Sequence, residues 1–299
     1  MNNILDELKH AFQRPNNGLM QIIVINLIIF LVLLFLSVVL TLSGASNLYH
    51  TIVDQLTLPA DLGKFIYQPW TLITYFFTHE GFFHILFNLL FLYWFGRIIS
   101  EFLGDEKVVN LYVLGGLVGG VFYILIYNLI PYFSDRIATS EMLGASAGVY
   151  AVVVGAATFM PNYSIPLILL GPVRIKYIAL FYVIVSFAGA AGPNAGGDLA
   201  HLAGAGLGFL FIKQLQRGND LGKPVTQFTT FVKSFFVRQP KVKVTYRSQK
   251  KTNGRSKPTA AYPTKQDEID AILDKISDSG YDSLTREEKK KLFDASKNN

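Results

Sequence analysis

The feature that most constrains this chain is Met20–Leu42, 23 consecutive residues without a charge. At about 1.5 Å per helical residue, such a run is long enough to cross a hydrocarbon core of about 30 Å. A cleaved signal peptide fits it less well, because that apolar region runs roughly 7–15 residues and no small-residue cleavage site follows here. Five more apolar stretches are expected to be helical: Phe82–Ile99, Val108–Ile130, Gly144–Met160, Ile175–Ala191 and Leu199–Ile212. Only 16% of the chain is charged, against about 25% for a soluble domain. The expected fold class is therefore an all-α membrane protein, a bundle of six transmembrane helices.

Charge divides the chain in two. Residues 1–212 carry 8 Lys+Arg against 11 Asp+Glu, whereas residues 213–299 carry 19 against 10. The expected organisation is a cytoplasmic segment 1–18, a membrane domain 19–216, a basic linker 217–265 and a helical hairpin 266–299. Between Lys213 and Lys265 there are 13 Lys+Arg and one acid, Asp220, and regular aromatic stacking is lacking. That pattern favours anionic membrane lipids over nucleic acid as the partner. With no cysteine in the chain, disulfides, iron–sulfur clusters and cysteine zinc sites are excluded.

The short connections give a direction. Lys9 and Arg14 precede the first stretch, Arg97 and Lys107 lie between the second and third, and Arg174 and Lys176 lie between the fourth and fifth. The other connections hold only Lys64, only Arg136 or neither residue type. The positive-inside rule then places both termini in the cytoplasm; the expected location is the plasma (inner) membrane. Stretches two, four and six start on the extracytoplasmic side, and their polar residues cluster near those starts: His84 and Asn88, Ser146, and His201.

Polar side chains in apolar helices are costly and by default mark function. A serine placed like Ser146, in Gly144-Ala145-Ser146-Ala147-Gly148, is more often packing or hydrogen-bond glue than a nucleophile, and His201 could be a structural histidine, a haem ligand or a proton relay. Gly204 and Gly208 lie on the His201 face and allow another helix close beside it. Gly116/Gly120 and Gly144/Gly148 show the same spacing of small residues. A serine hydroxyl needs a base to become a nucleophile, and an imidazole suits that role. His84 and Asn88, four residues apart, can aim two donors into one pocket, where an oxyanion would need them.

Three signatures carry a resemblance: His79-x4-His84-Ile85-Leu86-Phe87-Asn88, then Gly144-Ala145-Ser146-Ala147, then Ala200-His201-x2-Gly204-x3-Gly208. In this order on alternate helices they resemble the rhomboid intramembrane serine proteases, over about residues 18–216. The resemblance implies a rhomboid-like six-helix fold with Ser146 as nucleophile and His201 as general base. It further implies His84, Asn88 and the Ser146 N–H as oxyanion donors, Tyr150 packed against the base, and Gly144 in support. Trp70 resembles the tryptophan of the family's membrane-embedded first loop. The sequence departs from the common pattern at Ala147, where glycine is usual, at Thr71, where many members carry arginine, and at Glu101, one residue late after Gly96. No metal or cofactor is implied, and the expected substrates are transmembrane proteins.

Asp198, three residues before His201, is expected to cap the sixth helix rather than complete a triad. His79 is expected to trim the same pocket or to bind nothing, and His10 and His50 have no expected role. In the tail, Ile269, Ile272, Leu273 and Ile276 repeat with helical period, Ser279-Gly280 closes that helix, and Thr285-x-x-Glu288 is a capping box for a second. The activity expected from the resemblance is endoproteolysis of membrane-anchored helices near the extracytoplasmic face. The alternatives are an inactive relative that binds client helices and a small-solute transporter, which has no strong internal repeat in its favour.

Overall fold

The computed structural model describes residues 17–167, 171–236, 265–279 and 283–296. Expectations for residues 1–16, His10, the linker from 237 to 264 and Gly280 lie outside them. Among the described residues, α1 is Gly18–Leu42, and a loop region with α2 (Ser46–Asp54), β1 (Leu58–Pro59), α3 (Leu62–Tyr67) and α4 (Thr71–Thr74) follows. A 3₁₀ turn, Tyr75–Phe77, leads to α5 (Phe82–Leu103) and α6 (Asp105–Leu129). Next come a 3₁₀ segment Pro131–Arg136, β2 (Glu141–Met142), α7 (Ser146–Phe159), β3 (Ser164–Leu167) and β4 (Gly171–Arg174). The remaining helices are α8 (Ile175–Gly189), α9 (Ala195–Gln216), α10 (Lys223–Phe236), α11 (Lys265–Ser279) and α12 (Arg286–Ser296).

Among the described residues four helices, α1, α5, α6 and α9, are long and apolar enough to cross a membrane, while α7 and α8 are shorter apolar helices of 14 and 15 residues. At about 1.5 Å per residue, α7 is only about 21 Å long. It occupies the middle of the bundle, with ten of its residues buried. By contrast α1 and α8 present Leu31, Phe35, Leu180, Phe181 and Phe187 outward.

Glycines set how close the helices come. A Cβ at Gly204 or Gly208 would collide with the carbonyl of Ala147 or Ala151, so α9 and α7 lie backbone to backbone, in parallel. At the same two residues of α7, Gly115 and Gly119 of α6 face Ala151 and Ala147, which makes α6 antiparallel to α7. Phe102 packs on Phe159 at 6.2 Å, while His84 packs beside Gly144, so α5 runs parallel to α7. Consequently α5, α7 and α9 begin at one end of the bundle. Gly116 and Gly120 face Phe76, Leu72 and Tyr75 rather than another long helix.

Several expectations need correcting. The fold is mostly helical rather than all-α: β1 pairs with β2 and β3 with β4, both antiparallel. Gly144 is not helical, because its φ of +114° breaks the chain just before α7 begins at Ser146. The N-cap position of α9 is Asn194, so Asp198 lies in the first turn and caps nothing. Residues 217–265, expected as linker only, contain the helix α10.

The chain folds as two units, residues 1–239 and residues 240–299. In the second, the Thr285 N–H donates to Glu288 Oε2 at 2.7 Å and the Glu288 N–H donates to Thr285 Oγ1 at 3.3 Å. This reciprocal pair is the expected capping box. The Thr285 amide, with Lys275 at 2.9 Å, holds the Glu288 carboxyl below its usual range. Of the expected apolar face of α11, Ile272 is buried, but Leu273 is exposed.

Candidate active site

The segment 140–146 that delivers Ser146 is fastened strand by strand. Leu58 and Pro59 pair with Met142 and Glu141, and the Ala60 N–H donates to the Ser140 carbonyl at 2.9 Å. Thr57 and Lys64 both hold the Glu141 carboxylate, at 2.5 Å each. Nearer the serine, the Gly144 N–H donates to the Tyr75 carbonyl at 2.9 Å and the Ala145 N–H donates to His79 Nε2 at 3.2 Å. His79 is fully buried there, so it acts as a fixed acceptor behind the pocket rather than trimming its edge. With those two amides taken, the next N–H is that of Ser146, which at the first helical position has no intrahelical acceptor.

Ser146 and His201 meet across the α7–α9 contact, Oγ to Nε2 at 2.6 Å. The close approach permitted by Gly204 and Gly208 brings the two backbones near enough for these short side chains to touch. The imidazole is fixed on its other side as well. Tyr150 stacks on the ring at 4.5 Å with planes 10° apart. Nδ1 lies 3.2 Å from Ser186 Oγ of α8, and the Ser186 hydroxyl donates to the Tyr150 oxygen at 2.8 Å. Tyr150 in turn donates to the Tyr182 carbonyl at 3.4 Å.

With Ser186 donating to Tyr150, the Ser186 oxygen is able to accept from Nδ1–H, the tautomer in which Nε2 faces the Ser146 hydroxyl as an acceptor. Asp198 Oδ1 stands farther from Nδ1, at 3.7 Å. Ser186, 1% exposed, is a site residue that sequence reasoning missed. Its signal was present: it is a lone hydroxyl within the apolar run Phe181–Phe187, broken otherwise only by the phenol of Tyr182.

His84 and Asn88 line one cavity with Ser146, Tyr150 and His201, about 300 Å³ in volume and walled by Phe83, Phe87 and Phe91. Tyr182 of α8 packs on Phe91 at 4.6 Å, so this cavity lies between α5 and α8. The Asn88 amide donates to the His84 carbonyl at 2.9 Å, which occupies one of its two hydrogens. Gly144 makes room for the His84 ring, since a Cβ there would lie 2.6 Å from Cε1. A second cavity of about 380 Å³ meets the same Ser146 and His201 from the loop side, with Tyr75, Tyr127, Glu141 and Asn194 in its wall. The Ala147 methyl, at the position where glycine is usual in the resembling sequences, sits against Gly119 of α6, whose missing side chain accommodates it.

A family model described as Rhomboid domain matches residues 67–217, half of the chain. The chain belongs to the rhomboid family. Similar curated proteins are both from Arabidopsis thaliana. RHOMBOID-like protein 12, mitochondrial, is 27% identical over 157 residues, covering 50% of this chain and 47% of that protein. Inactive RHOMBOID-like protein 8 is 29% identical over 79 residues, covering 26% and 22%. The chain thus spans less than half the length of either rhomboid relative. Residues 263–298 match a family of unknown function (DUF6576). With the rhomboid domain and the apolar helices, the chain is an integral membrane protein.

Proposed function

We propose that this rhomboid is an intramembrane serine endopeptidase that cleaves membrane-anchored protein helices. The observation that carries the reading is the 2.6 Å contact between Ser146 Oγ and His201 Nε2, with Nδ1 occupied by Ser186. In the proposed mechanism Ser146 Oγ attacks the scissile carbonyl as its proton passes to Nε2. The oxyanion is held by the free Ser146 N–H, by His84 and by the remaining Asn88 hydrogen. His201 then protonates the leaving amine, and water hydrolyses the acyl-enzyme.

The two cavities suit the two reactants. A substrate helix reaches Ser146 from the apolar side, between α5 and α8, and water arrives through the polar loop-side cavity. In this reading all six apolar helices cross the membrane. Buried in the bundle, α7 can be shorter than the bilayer is thick, which sets Ser146 beneath the leaflet surface. Arg97, Lys107, Arg174 and Lys176 lie toward the opposite end, which makes that end cytoplasmic, together with both termini. The proposed location is the plasma (inner) membrane, and the proposed partners are transmembrane substrates and anionic lipids.

A second reading, an inactive rhomboid that binds client helices, is suggested by the match to Inactive RHOMBOID-like protein 8. A fluorophosphonate probe separates the two. Labelling of the native protein that is lost in Ser146→Ala, with cleavage of a model transmembrane substrate lost in His201→Ala, is the expected result. Equal labelling of wild type and Ser146→Ala would remove the nucleophile.

A further inference from the structure

Neither family model covers α10, Lys223–Phe236, which lies between their matches. At 100° per residue, Val225, Phe228, Phe231, Val232 and Phe235 fall in one arc of about 120°, while Gln227, Thr230 and Ser234 fall outside it. Val225 is buried, but Phe228 is 63%, Phe231 61% and Phe235 71% exposed. Three phenylalanines on one helix face would be a heavy cost in water.

The start of α10 is pinned to the bundle. Lys107 Nζ meets Asp220 Oδ2 at 2.6 Å, and the Gly222 N–H donates to Asp220 Oδ1 at 2.9 Å. The buried Asn110 donates to Thr226 Oγ1 at 3.0 Å. Gly222 packs on the Asn110 amide so closely that a Cβ would not fit. These contacts place α10 at the end of the bundle where α6 begins and α9 finishes, opposite the Ser146–His201 end. Arg97, Arg174, Lys213 and Arg217 belong to the same end by their positions in α5, β4 and α9 and just beyond it.

We infer that α10 lies in the plane of the cytoplasmic leaflet, its phenylalanines embedded at the headgroup–acyl boundary of an anionic bilayer. Charge decides the occupant. From Leu221 to Lys265 there are eleven Lys+Arg and no acid, which an anionic surface attracts and a second copy of the same basic segment would repel. An in-plane amphipathic helix of this kind reaches about 5–10 Å into the boundary.

The full chain has no cysteine, so single nitroxide labels can be placed at will. Gln227→Cys, Phe228→Cys, Thr230→Cys, Phe231→Cys, Ser234→Cys and Phe235→Cys would be studied in vesicles of phosphatidylcholine with about one third phosphatidylglycerol. Labels at 228, 231 and 235 are expected to collide readily with oxygen and about fivefold less with a water-soluble nickel chelate than those at 227, 230 and 234. In pure phosphatidylcholine this contrast shrinks. Absence of helical alternation overturns the inference, as does protection from both relaxers at 228, 231 and 235, which would mean a protein cover. A contrast unchanged by removing the anionic lipid overturns the assignment of the lipid. The measurement reads immersion alone, so its failure leaves the protease reading untouched.

Discussion

Replacing Ser186 with alanine tests whether the imidazole is held by its hydroxyl. In the resting site, Ser186 Oγ lies 3.2 Å from His201 Nδ1, placed to accept from it, inside a helix interface where the serine is 1% exposed. Ser186→Ala leaves Nδ1–H without that acceptor and Tyr150 without its donor, while Asp198, at 3.7 Å, is too distant to substitute without movement. The loss grows along the reaction, because His201 becomes an imidazolium as Ser146 is deprotonated. A hydrogen bond to a charged group is worth about 1.5–3 kcal/mol. At about 1.4 kcal/mol per factor of ten, the acylation rate should fall by roughly one to two orders of magnitude. The assay is the second-order rate of fluorophosphonate labelling at Ser146 in detergent, which needs no knowledge of the natural substrate. Ser186→Thr, which keeps the hydroxyl, should recover most of the rate. An alanine variant that labels as fast as wild type would refute the orienting role.

Gly204→Ala drives a methyl into the Ala147 carbonyl, and because backbone cannot yield as a side chain does, α7 and α9 must separate at a cost of about 1–3 kcal/mol. Unfolding in dodecyl sulfate should occur earlier and labelling should be lost; unchanged values in both would show that the close crossing is dispensable. Gly144→Ala combines a φ of +114° with a clash on His84, at about 1–3 kcal/mol for the backbone, so labelling should collapse, and retained labelling would refute the role given to this glycine. A pH dependence is expected at the α10 anchor. Burial opposes ionisation of Asp220, but the Lys107 ammonium and the Gly222 amide outweigh it and hold the carboxyl below its ordinary value of 3.8. Its stabilisation is therefore complete above that ordinary value and is lost as pH falls through the lower, folded value. Hydrogen exchange at Gly222 and Thr226 should stay constant from neutral pH down to the carboxylate range once corrected for intrinsic rates, and accelerate only below it; acceleration near neutrality would contradict the anchor.

How much of this was readable without coordinates follows from the kind of information involved. A membrane-length apolar run is a one-dimensional property, and so Met20–Leu42 announces a helix of about the observed length. The shorter runs around Ser146 and Ile175 were legible as apolar helices, and Ile175 as a start, but the break before Ser146 was not, because Gly144 makes it through a φ that composition does not print. Polar residues stand out against an apolar background, which is why Ser146, His201, His84 and Asn88 could be singled out. Ser186 stood out equally, yet its partner lies 15 residues away on another helix. The helix α10 was hidden by its surroundings: its phenylalanines sit among lysines and threonines that read as a basic linker.

The sequence by itself therefore determined that the chain enters a membrane, which residues there are chemically costly, and that small residues allow close helix contacts. Tertiary structure decided which contacts these are: Gly204 and Gly208 against Ala147 and Ala151 of α7, Gly115 and Gly119 of α6 against the same two alanines, Ser186 rather than Asp198 nearest Nδ1. The physical reason is that apolarity is a property of each residue against its solvent, whereas a hydrogen bond of 2.6 Å depends on the crossing of two helices. That crossing follows from the packing of every side chain between them.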